Sequence, residues 1–97
     1  MYFNTVINYE YYDDDADYAI FDDLGGFKFF PSYKAWLGCQ MEFDVNEKYK
    51  RKKRIHWGRP SIYLSNTDPR NDEAVDYDWL VGNCEIVYVG EPLITIN

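Results

Sequence analysis

Two adjacent carboxylates, Asp22 and Asp23, follow the short apolar run Tyr18-Ala19-Ile20-Phe21, and an amide, Asn66, follows a second run, Ile62-Tyr63-Leu64. If both runs are parallel strands of an open α/β sheet, these residues stand where such sheets bind ligands, just outside the carboxyl ends of the strands. There one carboxylate can hold Mg²⁺ through water while its neighbour orients or deprotonates an attacking water. The amide can polarise that water or a terminal phosphate. Each residue also has a plainer explanation, since Asp-Asp-Leu-Gly-Gly is a common turn sequence and an asparagine after a strand is commonly a cap. It is their order and separation that favour reading them together.

A second chemistry is written in the charges. The net charge of −7 argues against nucleic acid taken as a sum, but the charges are segregated. Met1 to Asp23 holds seven acids and no lysine or arginine, whereas six of the ten basic residues, Lys48, Lys50, Arg51, Lys52, Lys53 and Arg54, fall within seven positions around Tyr49. Crowding like charges costs on the order of 1 kcal/mol for each close pair in water, a cost that a polyanion relieves. Tyr49, His56 and Trp57 add rings on which bases can stack, so the run suits single-stranded nucleic acid. A solvated hairpin tip or a nuclear-localisation patch are the alternatives.

The elements that must position these residues follow from periodicity. Tyr18 to Phe21 reads as a central parallel strand buried on both faces, and Ser61 to Ser65 as another buried strand. Phe30-Pro31-Ser32 before Tyr33 to Leu37, with Gly38 after it, marks one short helix. Met41, Phe43 and Val45 alternate with Glu42, Asp44 and Asn46, and Arg54 to Trp57 reads as the returning arm of a hairpin whose tip carries the cations. Asp76 to Leu80 suits a helical turn, and Cys84 to Val89 and Leu93 to Ile96 read as two closing strands.

Ninety-seven residues allow one domain, spanning 1–97, and hydrophobic residues at 46% make it globular. No apolar run approaches the about 18 residues of a membrane span, and the N-terminus lacks the layout of a secretory signal, so a soluble, intracellular chain is expected. With two distant cysteines, Cys39 and Cys84, and His56 as the only histidine, neither a zinc site nor a disulfide framework is expected.

These residues carry a resemblance. Ala19-Ile20-Phe21-Asp22-Asp23-Leu24, then Lys34-Ala35-Trp36-Leu37-Gly38-Cys39-Gln40, the basic hairpin, and Pro60-Ser61-Ile62-Tyr63-Leu64-Ser65-Asn66 resemble successive motifs of the superfamily 3 helicase part of the replication-associated proteins (Rep) of geminiviruses and, more closely, genomoviruses. They match Walker B, the motif called B′, and motif C, and Trp79-Leu80-Val81-Gly82-Asn83-Cys84-Glu85 is similar to the segment after motif C. The resemblance implies an α/β fold, a partial P-loop NTPase (AAA+-like) sheet with a protruding basic β-hairpin and few short helices. It implies ATP and Mg²⁺ as cofactors, with Asp22 on Mg²⁺, Asp23 acting on water and Asn66 sensing the γ-phosphate. Lys48, Tyr49, Lys50, Arg51, Lys52, Lys53 and Arg54 would track single-stranded DNA inside a ring oligomer in the host nucleus. Arg70, the only arginine after motif C, is the local candidate for an arginine finger, although a salt bridge or a turn contact explains it equally well.

The departures are as informative. The chain has no GxxxxGK[ST] to cradle phosphates, and the nick-and-join nuclease motifs are missing, so hydrolysis by this chain alone is not expected. Met1 stands about where the family has just left the Walker A helix, which suggests a C-terminal fragment. The strand before the phosphate loop lies beside the motif C strand in such folds, so either Met1 to Ile7 fills that position or the chain associates with itself or with a complete Rep. Two other functions are open: a non-enzymatic short form that joins full-length subunits and tunes them, and an acidic module whose Tyr9 to Asp17 segment mimics DNA or engages a host protein.

Overall fold

The computed structural model describes residues 1–46 and 52–88. Two small sheets are joined by one aromatic core. The first sheet is parallel, with β1 (Tyr2–Asn4), β2 (Ala19–Asp22) and β5 (Ser61–Leu64) in the order β1-β2-β5. Its register pairs Asn4 with Asp22 and Asp22 with Leu64. The second is the hairpin of β3 (Glu42–Asn46) and β4 (Lys52–His56), in which Phe43 faces Ile55 and Asp44 faces Arg54. Helices α1 (Tyr33–Leu37) and α2 (Tyr77–Asn83) complete the elements, with single 3-10 turns at Tyr9–Tyr11, Phe27–Phe29 and Pro69–Asn71.

Period-two alternation explains the inner face of each strand. Phe3 on β1, Ala19 and Phe21 on β2, Phe43 and Val45 on β3 and Ile55 on β4 are all buried. Helix α1 exists chiefly to insert Trp36 among them. The indole is fully buried, 5.2 Å from the Phe21 ring, 5.0 Å from Phe43 and 5.2 Å from Trp57, mostly edge-on. Trp36 thus joins the parallel sheet to the hairpin. Gly38 ends α1 because there is no room for a side chain: a Cβ there would lie 2.5 Å from the Lys34 carbonyl oxygen.

β2 is the central parallel strand the pattern predicts, but the sheet is covered on one side only among the described residues. Ile20 is half-buried, and Ile62 and Leu64, on the same face, are 45% and 42% exposed. A continuous apolar run cannot reveal whether its second covering layer is present. Met41 is 77% exposed and lies outside β3, which begins at Glu42 after Cys39 turns through the left-handed region at φ 54°. Helix α1 starts at Tyr33 as expected, although Ser32 adopts φ 62° and makes no side-chain cap.

Downstream, α2 is longer than the expected turn, capped by Asp76 through the Trp79 amide and continuing through Gly82 to Asn83. Residues 84–88 are not in a strand, which corrects the expectation for Cys84 to Val89; the proposed strand at Leu93 to Ile96 lies outside the described residues. Met1 to Ile7 does not lie beside β5, the strand that the resemblance likens to motif C. β1 pairs with the opposite edge of β2, and the outer edge of β5 has no partner strand among the described residues.

Candidate functional site

Asp22 ends β2 and Leu64, its register partner, ends β5, so the chain leaves both strands at the same end of the sheet. Asp23 follows at once, exposed, with φ 56°. Asn66 lies two residues beyond Leu64 and is exposed. Sequence order therefore brings these three residues to one end of two neighbouring parallel strands, the geometry in which open α/β sheets hold ligands.

Asp22 lies on the uncovered face and is half-buried. Its Oδ2 accepts a hydrogen bond from the Tyr2 hydroxyl at 2.5 Å, and Asn4 Nδ2 donates to that hydroxyl at 2.9 Å. The bond to Asp22 pushes the Tyr2 hydroxyl above its ordinary pKa, so the phenol keeps its proton and remains a donor. Sequence reading missed Tyr2 and Asn4, because nothing in the local pattern says which strand will lie beside Asp22. Among the described residues no group of three or more acids, histidines or cysteines converges as a metal cage. Asp22 instead suits Mg²⁺ of the kind held by one carboxylate together with waters and substrate phosphates.

Arg70 sits in the 3-10 turn Pro69–Asn71, gripped by Asp68. Its Nε donates to Asp68 Oδ1 at 3.0 Å and its Nη2 to Oδ2 at 2.7 Å, while Asp68 also caps the turn through the Arg70 amide. The guanidinium holds the Asp68 carboxyl below the usual carboxylate range. The salt-bridge reading of Arg70 is thus present in the structure, and reaching a neighbouring nucleotide requires releasing Asp68.

Asp72 is a further residue that the sequence analysis did not single out. Its Oδ2 accepts from the Phe27 amide at 2.8 Å and its Oδ1 from the Ala74 amide at 2.8 Å, tying the segment after β5 to the loop after β2. Gly26 is needed for this approach, because a Cβ there would lie 3.0 Å from Asp72 Oδ2. The two segments flank a cleft of about 780 Å³ lined by Gly25, Lys28, Asp68 and Asp72 among others, but not by Asp22, Asp23 or Asn66.

In the hairpin, the tip residues Lys48, Tyr49, Lys50 and Arg51 lie outside the described residues. Lys52 is exposed and makes no ion pair with a described residue. Lys53 points the other way, with Nζ donating to the Tyr9 carbonyl oxygen at 3.3 Å and lying 5.2 Å from the Tyr12 ring centre. Arg54 Nη1 meets Asp44 Oδ1 at 3.1 Å, and His56 Nδ1 lies 2.9 Å from Glu42 Oε1. The described part of the basic run, Lys52 to Arg54, is therefore divided between the two faces of the ribbon. No helix among the described residues is long and apolar enough to cross a membrane.

Comparison with known proteins gives one consistent result. The chain is 38% identical over 93 residues to the replication-associated protein of Miscanthus streak virus, covering 93% of this chain and 26% of that protein. It is 41% identical over 86 residues to that of Tobacco yellow dwarf virus, with 86% and 25% covered, and 49% identical over 67 residues to that of Bean yellow dwarf virus, with 69% and 20% covered. The chain spans about a quarter of the length of these relatives. No family model matches it, and no solved structure does.

Proposed function

Since the chain is related to a segment of the replication-associated proteins of geminiviruses, with a role in viral DNA replication, we propose that it supplies part of a P-loop NTPase of the superfamily 3 helicase type, acting in rolling-circle replication. The observation that carries this reading is the common exit of Asp22-Asp23 and Asn66 from neighbouring parallel strands. Asp22 binds Mg²⁺, which when bound neutralises charge on the ATP phosphates. Asp23 accepts a proton from the attacking water or orients it, and the Asn66 amide hydrogen-bonds the γ-phosphate. Arg70, once freed from Asp68, reaches the nucleotide of a neighbouring subunit. The phosphate cradle comes from outside this chain, since no GxxxxGK[ST] occurs in it.

DNA binding is assigned to Lys48, Lys50, Arg51 and the exposed Lys52, with Tyr49 as a stacking ring and the same run serving as the nuclear address. Four contacting cations give a log–log salt slope of roughly −3 for single-stranded DNA. To test the catalytic part, this chain would replace its matching segment in the Tobacco yellow dwarf virus protein, and ATP hydrolysis would be measured. Hydrolysis is expected from the chimaera but not from the 97-residue chain alone, and Asp23→Asn should reduce it at least 100-fold, within the range general-base groups contribute, about 10²–10⁴. An Asp23→Asn chimaera that turned over at the unaltered rate would sink the assignment.

A second reading, a non-enzymatic form that co-assembles with full-length Rep or with itself, is favoured by the outer edge of β5, which has no partner strand among the described residues, and by the exposed Ile62 and Leu64. Sedimentation of the chain alone and mixed with a full-length relative separates this reading from an independent monomer.

A further inference from the structure

We propose that Tyr2 is a positioning residue for Asp22, fixing that carboxylate so that one oxygen alone faces the metal. This rests on the assignment of Asp22 to Mg²⁺ given above. Tyr2 pairs in register with Ile20, yet its phenol extends along the uncovered face and meets Asp22 two residues further on. The direction of every hydrogen bond behind it is determined. The Asp22 carboxylate can only accept, so the phenol's single hydrogen goes to its Oδ2; the phenol oxygen then accepts from Asn4 Nδ2, and Asn4 Oδ1, turned the other way, accepts from Thr5 Oγ1 at 2.7 Å.

The backbone at the start of this relay is strained. Thr5 is β-branched and held at φ 69°, a conformation such residues rarely adopt, and its amide is anchored to the Asp22 carbonyl oxygen at 3.0 Å. One residue therefore clasps Asp22 from its main chain and, through Asn4 and Tyr2, from its side chain. With Oδ2 engaged, Oδ1 is left for a metal or its water, the one-carboxylate mode that Mg²⁺ uses. Groups that orient a ligating carboxylate typically raise metal affinity about 10–100-fold. The plainer role, pinning β1 to β2, is served equally by the ladder between the strands and predicts no effect on metal.

The test is a titration of the complete ¹⁵N-labelled chain with Mn²⁺ as a paramagnetic stand-in for Mg²⁺, following loss of the backbone amide signals around Asp22. Thermal midpoints are recorded in parallel. In the unaltered chain these signals should broaden first, and Asp22→Asn should abolish the effect. Tyr2→Phe, which keeps the ring, should require about tenfold more Mn²⁺ for the same broadening. Asn4→Ala should act in the same direction by a smaller factor, and decides the matter should Tyr2→Phe fail to fold. An unaltered chain without broadening near Asp22, or broadening that survives Asp22→Asn, would overturn the metal assignment itself. Broadening lost in Asp22→Asn but unchanged or tightened in Tyr2→Phe would leave that assignment standing and overturn the role of Tyr2.

Discussion

The hairpin sets acids opposite basic residues across its two strands, whereas the parallel sheet has no cation in its strands and ends in acids and an amide, so the two regions dispose of charge in opposite ways. Across β3 and β4, Glu42 lies opposite His56 and Asp44 opposite Arg54, so on the outward face the two carboxylates meet an imidazole and a guanidinium within the ribbon. At the end of β2 and β5, Asp23 and Asn66 are exposed without a charged partner among the described residues, and Asp22 is bonded only by neutral groups. Exposed pairs such as Arg54–Asp44 contribute about 0.2–1 kcal/mol each, so the ladder stabilises the ribbon modestly while removing Arg54 from the count of available cations. Charge that is spent locally maintains shape; charge left unpaired at strand ends is available to a ligand.

The largest effect should come from cutting the link between the two regions. Trp36→Ala removes the indole that touches Phe21 on one side and Phe43 and Trp57 on the other, at a cost of about 3–5 kcal/mol. Against a total stability of about 5–15 kcal/mol, with a small domain near the low end, urea denaturation should find the variant largely unfolded at 25 °C. If instead one region melted while the other kept its near-ultraviolet signal, the two would be independent units and the shared-core account would fail.

The second effect sharpens the charge comparison. The double variant Glu42→Gln/Asp44→Asn frees Arg54 from both acids. One extra phosphate contact steepens the single-strand salt slope by about 0.7 and raises affinity about fivefold at 0.1 M salt. Fluorescence anisotropy with an oligonucleotide at several salt concentrations reads both quantities, and an unchanged slope would mean that the outward face of β4 is not turned toward DNA.

Much of this arrangement is legible in sequence, and the remainder is illegible for physical reasons. The alternation at Phe43 and Val45 and the bounded run Tyr33 to Leu37 encode their elements locally, and both form as read. Asp22 and Asn66 are placed by the strands that precede them, so their common exit also follows from local pattern. Which edge of β2 would receive β1 does not, because parallel pairing is decided by contacts between distant segments. Tyr2 was invisible for that reason. The inward turn of Lys53 was invisible for another: a run of six cations looks uniform in one dimension, but a strand sends alternate residues to opposite faces, and Ile55 shows which side is inward. Residues 84–88 have strand-like composition and yet no partner strand among the described residues, since β propensity records fit to a pleated surface that must itself be present.

Lys52 and Lys53 turn that point into a paired prediction. Lys53→Ala removes a hydrogen bond to the Tyr9 carbonyl and a cation over the Tyr12 ring, and should cost about 1 kcal/mol in urea denaturation while leaving the DNA salt slope unmoved. Lys52→Ala should do the reverse, flattening the slope by about 0.7 with little change in stability. Equal effects of the two on DNA would mean that the ribbon's faces are not distinguished as described.

The smallest expected effect lies at the same junction and is read in alkali. Burial, reinforced by the nearby Asp14 carboxylate, pushes the Tyr12 hydroxyl up to about 12, and its single hydrogen is donated to the His56 carbonyl oxygen at 2.9 Å. From pH 10, the ordinary tyrosine value, the unfolded chain loses this proton while the folded chain keeps it, so the folded state binds more protons and stability falls as pH rises. The contribution is therefore intact below pH 10 and disappears progressively toward pH 12. Other tyrosines and lysines titrate in the same range, so the informative quantity is the difference between the unaltered chain and Tyr12→Phe in urea midpoints at pH 8, 10 and 11. The gap should be greatest at pH 8 and narrow by pH 11, because only the unaltered chain has this proton to lose. A gap that stayed constant across the series would show that Tyr12 contributes its ring alone, and that the hydroxyl does not hold the 9–12 segment to β4.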